Sequence, residues 1–197
     1  MERALYRPIV LHPITLGAVC RQPSSHERVQ LDTPALDVMT DFQQVLPAMI
    51  RPDATLTQAS DTMIARGVRF LFVVDGDDAI IGVVTARDLA GDHVARAVRA
   101  TGTSPARLGV GAVMTLQQNM EAMTLNDVMH AEVGHVLETL RQVGRQHALV
   151  IETHAESGGI LVRGIFSATH IGRRLGVAMS SFEAENTFRE IETALAG

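Results

Sequence analysis

Hydrophobic positions change period along this chain in a fixed order, and the order occurs twice. In the first copy Leu56, Ala59, Met63 and Ile64 fall on one helical face. Thr55 precedes them with Gln58 three residues on, the pairing of a capping box. Gly67 stands where a helix C-terminal glycine is expected. The unbroken apolar run 70–74 predicts a buried strand. Asp75-Gly76-Asp77-Asp78 predicts a hairpin turn, and 80–85 its return strand. A second helix is predicted to start around Ala86 and run towards Val98. In the second copy Val133, Val136, Leu137, Leu140 and Val143 form the helical face. Residues 148–151 form the buried strand, 154–159 a longer turn read as a flexible loop, and 160–167 the return strand.

Both copies open on the same three letters, Val38-Met39-Thr40 and Val113-Met114-Thr115, and both close on Gly-x-x-Thr/Ser at Gly82–Thr85 and Gly164–Ser167. A duplicated unit of this size implies two half-modules that bury apolar faces against each other, with a ligand cleft between them. The expected divisions are an N-terminal arm (1–37), a first repeat (38–100), a linker (101–109), a second repeat (110–176) and a C-terminal helix (177–197). In the arm, 6–19 is read as extended chain with strand character. In the tail, Ser180 and Ser181 can cap a helix on which Ala184, Phe188, Ile191 and Leu195 share a face. That face packs either on its own protomer or on a second copy.

Composition narrows the chemistry. The net charge of -5 argues against general nucleic-acid affinity, which needs a basic surface. All 17 basic residues are arginine, which excludes a P-loop or Schiff-base lysine. Cys20 is the single cysteine, so neither an intramolecular disulfide nor a cysteine zinc site can form. The apolar stretch 8–20 is broken by Pro8, His12 and Pro13 and is too short to span a bilayer. A cytoplasmic protein without membrane contact is expected. His130 and His135 are five apart, a poor spacing for one helical face, and no metal site is expected.

The strand–helix–strand–strand–helix unit, headed by Val-Met-Thr and closed by Gly-x-x-Thr-x-x-Asp at Gly82, Thr85 and Asp88, resembles the CBS domain, named after cystathionine β-synthase. The resemblance covers about 37–176. It implies an α+β (α/β-like) tandem pair, or Bateman module, of two pseudo-symmetric β-α-β-β-α repeats with two related clefts. Such clefts bind adenosine-containing ligands such as AMP, ADP, ATP or S-adenosylmethionine. By this resemblance Asp88 holds the ribose hydroxyls and Thr85 lies near ribose or phosphate. Ile50 and Val83 enclose adenine. Arg69 approaches phosphate in one copy, and Gln146 and His147 do so in the other. A carboxylate accepts two hydrogen bonds from a vicinal diol, and Arg87 can add a guanidinium fork for phosphate. Plainer roles stand beside these: Asp88 favouring a helix dipole, Thr85 as an N-cap, and Arg69 and Arg87 as solvated charges.

The second copy carries Ser167 and then His170 where the motif has Asp. An imidazole cannot reproduce a carboxylate's double acceptance, so unequal clefts are expected. The leading reading is a non-enzymatic regulatory module that binds an adenosine ligand, with no further cofactor, and signals to a protein partner. The alternative is a structural or interaction protein whose clefts are empty or plugged by Phe70 and Phe72. No P-loop, Gly-x-Ser-x-Gly elbow or catalytic dyad supports an enzyme. A homodimer is expected, through the helices after the Gly-x-x-Thr/Ser strands together with Phe188 and Ile191.

Overall fold

A computed structural model of the chain describes residues 29–154, 158–177 and 184–195. The expectations for 6–19, Cys20, the Ser180 and Ser181 cap and the middle of the 154–159 turn lie outside these residues. The first repeat contains β1 (Thr40–Asp41), β2 (Met49–Ile50), α1 (Leu56–Arg66), β3 (Phe70–Val74), β4 (Ile80–Thr85) and α2 (Asp92–Thr101). The second contains β5 (Thr115–Leu116), β6 (Ala122–Thr124), α3 (Leu125–Met129), α4 (Val133–Gln142), β7 (His147–Thr153), β8 (Ile160–Ser167) and α5 (Ala168–Arg174). A last helix, α6 (Ala184–Leu195), follows.

The capping box at Thr55 forms: its hydroxyl accepts from the Gln58 N–H, and the Gln58 carboxamide accepts from the Thr55 N–H. Gly67 ends α1 in the left-handed region at φ 63°, where a side chain would be strained. Ala59 and Met63 of the predicted face are buried, but Ile64 is 76 % exposed. Val143 is likewise 51 % exposed, because α4 ends at Gln142 and Val143 lies past the face. The helix expected from Ala86 begins at Asp92 instead. Thr85–Ala90 folds into successive turns, and Gly91 at φ 76° redirects the chain before α2 starts. The extra short helix α3 breaks the expected parallel between the copies.

The sheets do not follow the repeat boundaries. One has the order β2-β3-β4-β5 and the other β1-β8-β7-β6. Each repeat therefore lends its opening strand to the other repeat's sheet: β1 runs antiparallel to β8, and β5 antiparallel to β4. The motif glycines make this exchange possible. A Cβ on Gly82 would lie 2.5 Å from the Thr115 carbonyl oxygen, and one on Gly164 would lie 2.7 Å from that of Thr40. Both obstacles are backbone, so the incoming strand has to move. Gly82→Ala is expected to destabilise the protein by roughly 1–3 kcal/mol, the usual cost of overpacking. Urea unfolding checks this against Gly76→Ala, where nothing lies within 4 Å of the added methyl.

Three apolar clusters hold the halves. One centres on Leu71, Val73 and Val84 of the first repeat and takes in Leu108, Val110 and Val113. A second joins α4, α5 and α6 around Leu140, Phe166 and Ile171. The third lies between the two sheets, where Phe72, Val74 and Val83 meet Leu149 and Ile165. Phe188 and Ile191 are 8 % and 3 % exposed and belong to the second cluster, so the tail helix packs on its own chain. Their expected role as a dimer contact is corrected accordingly: their apolar surface is spent on α4 and α5. No helix among the described residues is long and apolar enough to cross a membrane.

Candidate functional site

Strand exchange creates two related clefts. Each combines the end of one repeat's return strand with the head of the other repeat and the start of the other repeat's middle strand. The first cleft, about 210 Å³, is lined by Val83, Thr85, Arg87 and Asp88, by Thr115 and residues 119–121, and by 144–147 and Leu149. The second, about 400 Å³, is lined by Ser167, Thr169, His170 and Arg173, by Thr40, Phe42 and residues 45–48, and by 66–70 and Phe72. A wider open groove crosses both and takes in Arg69, Thr85, Arg87, Gln146 and His147.

In the first cleft Asp88 is 8 % exposed and fixed in place. Its Oδ2 accepts from the Thr85 N–H at 2.8 Å and from the Thr85 hydroxyl at 2.7 Å. The Asp88 N–H in turn donates to the Thr85 hydroxyl at 3.4 Å. This reciprocal pair locks the turn after β4, so Thr85 has a capping role whatever else it does. Asp88 Oδ1 faces His93 Nδ1 at 3.7 Å, beyond hydrogen-bond distance, and keeps its acceptor capacity. A buried carboxylate with one oxygen anchored and the other available is a preorganised acceptor for a hydroxyl. Val83 and Leu149 are buried and line the apolar side of the cleft with Phe70 and Met120. Arg87 is exposed at the opening. Glu121 and Arg145 form an exposed ion pair of 2.9 Å beside it, which adds little stability.

His147 lines both clefts and the groove, with its ring centroid 5.5 Å from that of Phe70. Burial, helped by the Arg69 charge and opposed by Asp88, pushes its imidazole pKa down to about 4. It is therefore neutral at pH 7. Arg69 is lowered too, first by burial and then by the nearby Arg173 guanidinium.

Two of the expected placements change. Ile50 does not line the Asp88 cleft; it packs into the first repeat's own core, because β2 pairs with β3 inside that sheet. Arg69 faces the second cleft and the groove but not the Asp88 cleft, and His147 and Gln146 line both clefts. Each repeat's middle strand thus reaches the other repeat's cleft, a consequence of the two sheets packing face to face. Val83, Thr85, Arg87 and Asp88 do come together, as do Ser167 and His170. Ser167 caps α5 by accepting from the His170 N–H at 3.4 Å. Phe72 is buried between the sheets and Phe70 lines both clefts, and both cavities remain open. Sequence reasoning missed Met120, Glu121 and Arg145 in one cleft and Phe42, Arg66 and Arg173 in the other. The duplicated Val-Met-Thr heads were the available signal for Met120, Glu121 and Phe42, since the chain just after each head lines the opposite repeat's cleft. Among the described residues no group of His, Cys, Asp and Glu side chains is arranged to hold a metal ion.

A family model for the CBS domain matches residues 35–92. With the second half repeating the same architecture, the chain has the fold of a tandem CBS pair. An uncharacterised conserved protein from Pyrococcus horikoshii has a similar fold at 20% identity, with 78% of this chain and 99% of that one covered and a TM-score of 0.51. A CBS-domain protein from Agrobacterium tumefaciens aligns at 22% identity over 65% of this chain and 83% of that one, with a TM-score of 0.48. A putative signal-transduction protein with CBS domains from Burkholderia ambifaria aligns at 21% identity over 70% and 87%, with a TM-score of 0.47. Comparison with curated protein sequences gives no match.

Proposed function

We propose that this protein is a regulatory module that binds an adenosine-containing ligand in the Asp88 cleft and passes occupancy on to a protein partner. The observation that carries the reading is the anchored Asp88 carboxylate, buried beside an apolar wall with Oδ1 within reach of a ribose hydroxyl. Val83, Leu149 and Met120 offer the apolar surface a purine needs. The enclosed volume of about 210 Å³ is below the usual range for a whole small-molecule site, so phosphate or other substituents extend into the open groove past Thr85 and Arg87. The CBS match over 35–92 includes every one of these first-repeat residues.

Non-enzymatic action in the cytoplasm and self-association as a homodimer belong to this same reading. Among the described helices, α1 presents the exposed Ile64 as a candidate contact for a second copy.

Calorimetric titration with AMP, ATP and S-adenosylmethionine tests the proposal. Asp88→Asn is expected to weaken the bound ligand by about 1.5–3 kcal/mol, the range for hydrogen bonds to a charged group. Unchanged affinity in that variant, or no binding by any of the three, would exclude the ribose assignment.

A further inference from the structure

The most deeply buried polar residues among those described are Asp88, Thr169 and Thr187, at 8, 8 and 0 % exposed. Asp88 and Thr169 line the two clefts. Thr187 lies on α6, beyond both duplicated units, beside Phe188 and Ile191 of the second apolar cluster. A hydroxyl shut into an apolar layer needs a hydrogen-bond partner. The Gln146 carboxamide supplies one, its Nε2 donating to Thr187 Oγ1 at 3.2 Å.

Gln146 stands at a junction. Gly144, at φ 63°, turns the chain off the end of α4, and His147 opens β7. The Gln146 carbonyl accepts from the Ala168 N–H at the start of α5, at 2.9 Å. Its side chain reaches α6, and the residue lines both clefts and the open groove. The helix also takes part in that groove directly: Phe188, Arg189 and Glu192 line it together with Thr85 and Arg87.

We propose that the tail helix α6 is a functional part of the ligand site: Thr187 is the positioning residue that fixes the Gln146 carboxamide in the wall shared by the clefts, so that ligand binding and docking of the helix favour one another. A glutamine side chain is rich in rotamers, and holding it in one geometry before the ligand arrives removes an ordering cost from binding. By linkage, a ligand that binds better with the helix docked holds the helix more tightly by the same factor. Occupancy of a cleft is then displayed on the surface of α6, where Arg189 and Glu192 are exposed. The effect on affinity rests on the adenosine reading of the Asp88 cleft; the positioning of Gln146 does not.

Thr187→Val keeps the side chain's shape and removes the acceptor, whereas Thr187→Ser keeps the hydroxyl. Calorimetric titration of the full chain with AMP, ATP and S-adenosylmethionine is expected to show binding about three- to tenfold weaker in Thr187→Val and recovered in Thr187→Ser. Gln146→Leu should weaken binding at least as much, and adding Thr187→Val to it should change nothing further, because the two substitutions remove one bond. Ile191→Val thins the same buried cluster but lines neither cleft nor groove, and should leave affinity unchanged. Saturating ligand should slow backbone amide exchange over 186–195 in wild type and not in Thr187→Val. Thermal melts verify that the variants fold, and Thr187→Ala replaces Thr187→Val if that variant does not. Unchanged affinity in Thr187→Val, or an equal loss in Ile191→Val, would overturn the proposal. If none of the three ligands binds wild type, the adenosine reading fails, and the Gln146 carboxamide protons, followed by NMR, decide this inference alone. Slow exchange with solvent in wild type and Thr187→Ser but not in Thr187→Val supports it, and equal exchange in all three overturns it.

Discussion

Phe72→Ala is expected to lower the unfolding free energy by about 3–5 kcal/mol, the range for truncating a buried phenylalanine. Phe72 is 2 % exposed and sits between the two sheets rather than within either repeat. Its ring packs edge-on to Phe42 at 5.5 Å and to Phe70 at 5.0 Å. Those partners come from both sides of the exchange: Phe42 follows β1, the strand paired with the second repeat's sheet, and Phe70 opens β3. Deleting the ring removes dispersion contacts from both faces and leaves a void that a β-sandwich interface cannot close by moving one strand. A stability of about 5–15 kcal/mol is ordinary for a globular protein, so the loss is a large fraction of the whole. Equilibrium urea denaturation measures it. A change below about 1 kcal/mol would show that the halves are held by their own cores and not by this cluster.

Acid should destabilise the protein through His147. Its folded pKa of about 4 lies below the 6.5 of an unperturbed imidazole. Between those two values the unfolded chain binds a proton that the folded chain does not, so stability rises with pH across the window. The contribution is fully present above pH about 6.5, declines as pH falls towards 4, and is lost below that. The interval corresponds to roughly 3 kcal/mol as an upper value. Burial is the main cause and the Arg69 charge adds to it, whereas Asp88 works in the opposite direction. His147→Gln removes the titrating group while keeping a polar side chain of similar reach. The difference in unfolding free energy between wild type and variant, followed from pH 7 to 4, should therefore slope downward. A flat difference would mean that His147 is protonated as readily in the folded protein as in the unfolded one. Asp88→Asn takes away the one influence that raises the His147 pKa, so in that variant the descent should begin at the same pH and continue to lower pH.

Most of the local structure was legible in the sequence because short-range physics decides it. The Thr55–Gln58 box, the Gly67 cap and the apolar runs 70–74 and 148–151 each depend on residues within one or two turns of one another. The Thr85-x-x-Asp88 pair was legible as a capping signal, and the structure realises it as one. Its misreading as the first turn of α2 comes from Gly91, whose left-handed backbone interrupts the helix three residues later. Ile64 and Val143 were assigned to buried faces because a period of 3.6 identifies a face but not where the covering element ends.

The sequence by itself determined two copies of one unit, the elements within each, and the Val83, Thr85, Arg87 and Asp88 constellation at the end of β4. Only the tertiary structure decided which sheet each Val-Met-Thr head would join. The two heads carry the same letters, and backbone pairing does not distinguish between two equally open strand edges. The exchange of β1 and β5 follows from how the sheets pack on Phe72, and it carries Arg69 to the His170 cleft and His147 to the Asp88 cleft. Arg66 and Arg69 are more than a hundred positions from Arg173 in the chain, and only the tertiary packing brings them to line one cavity.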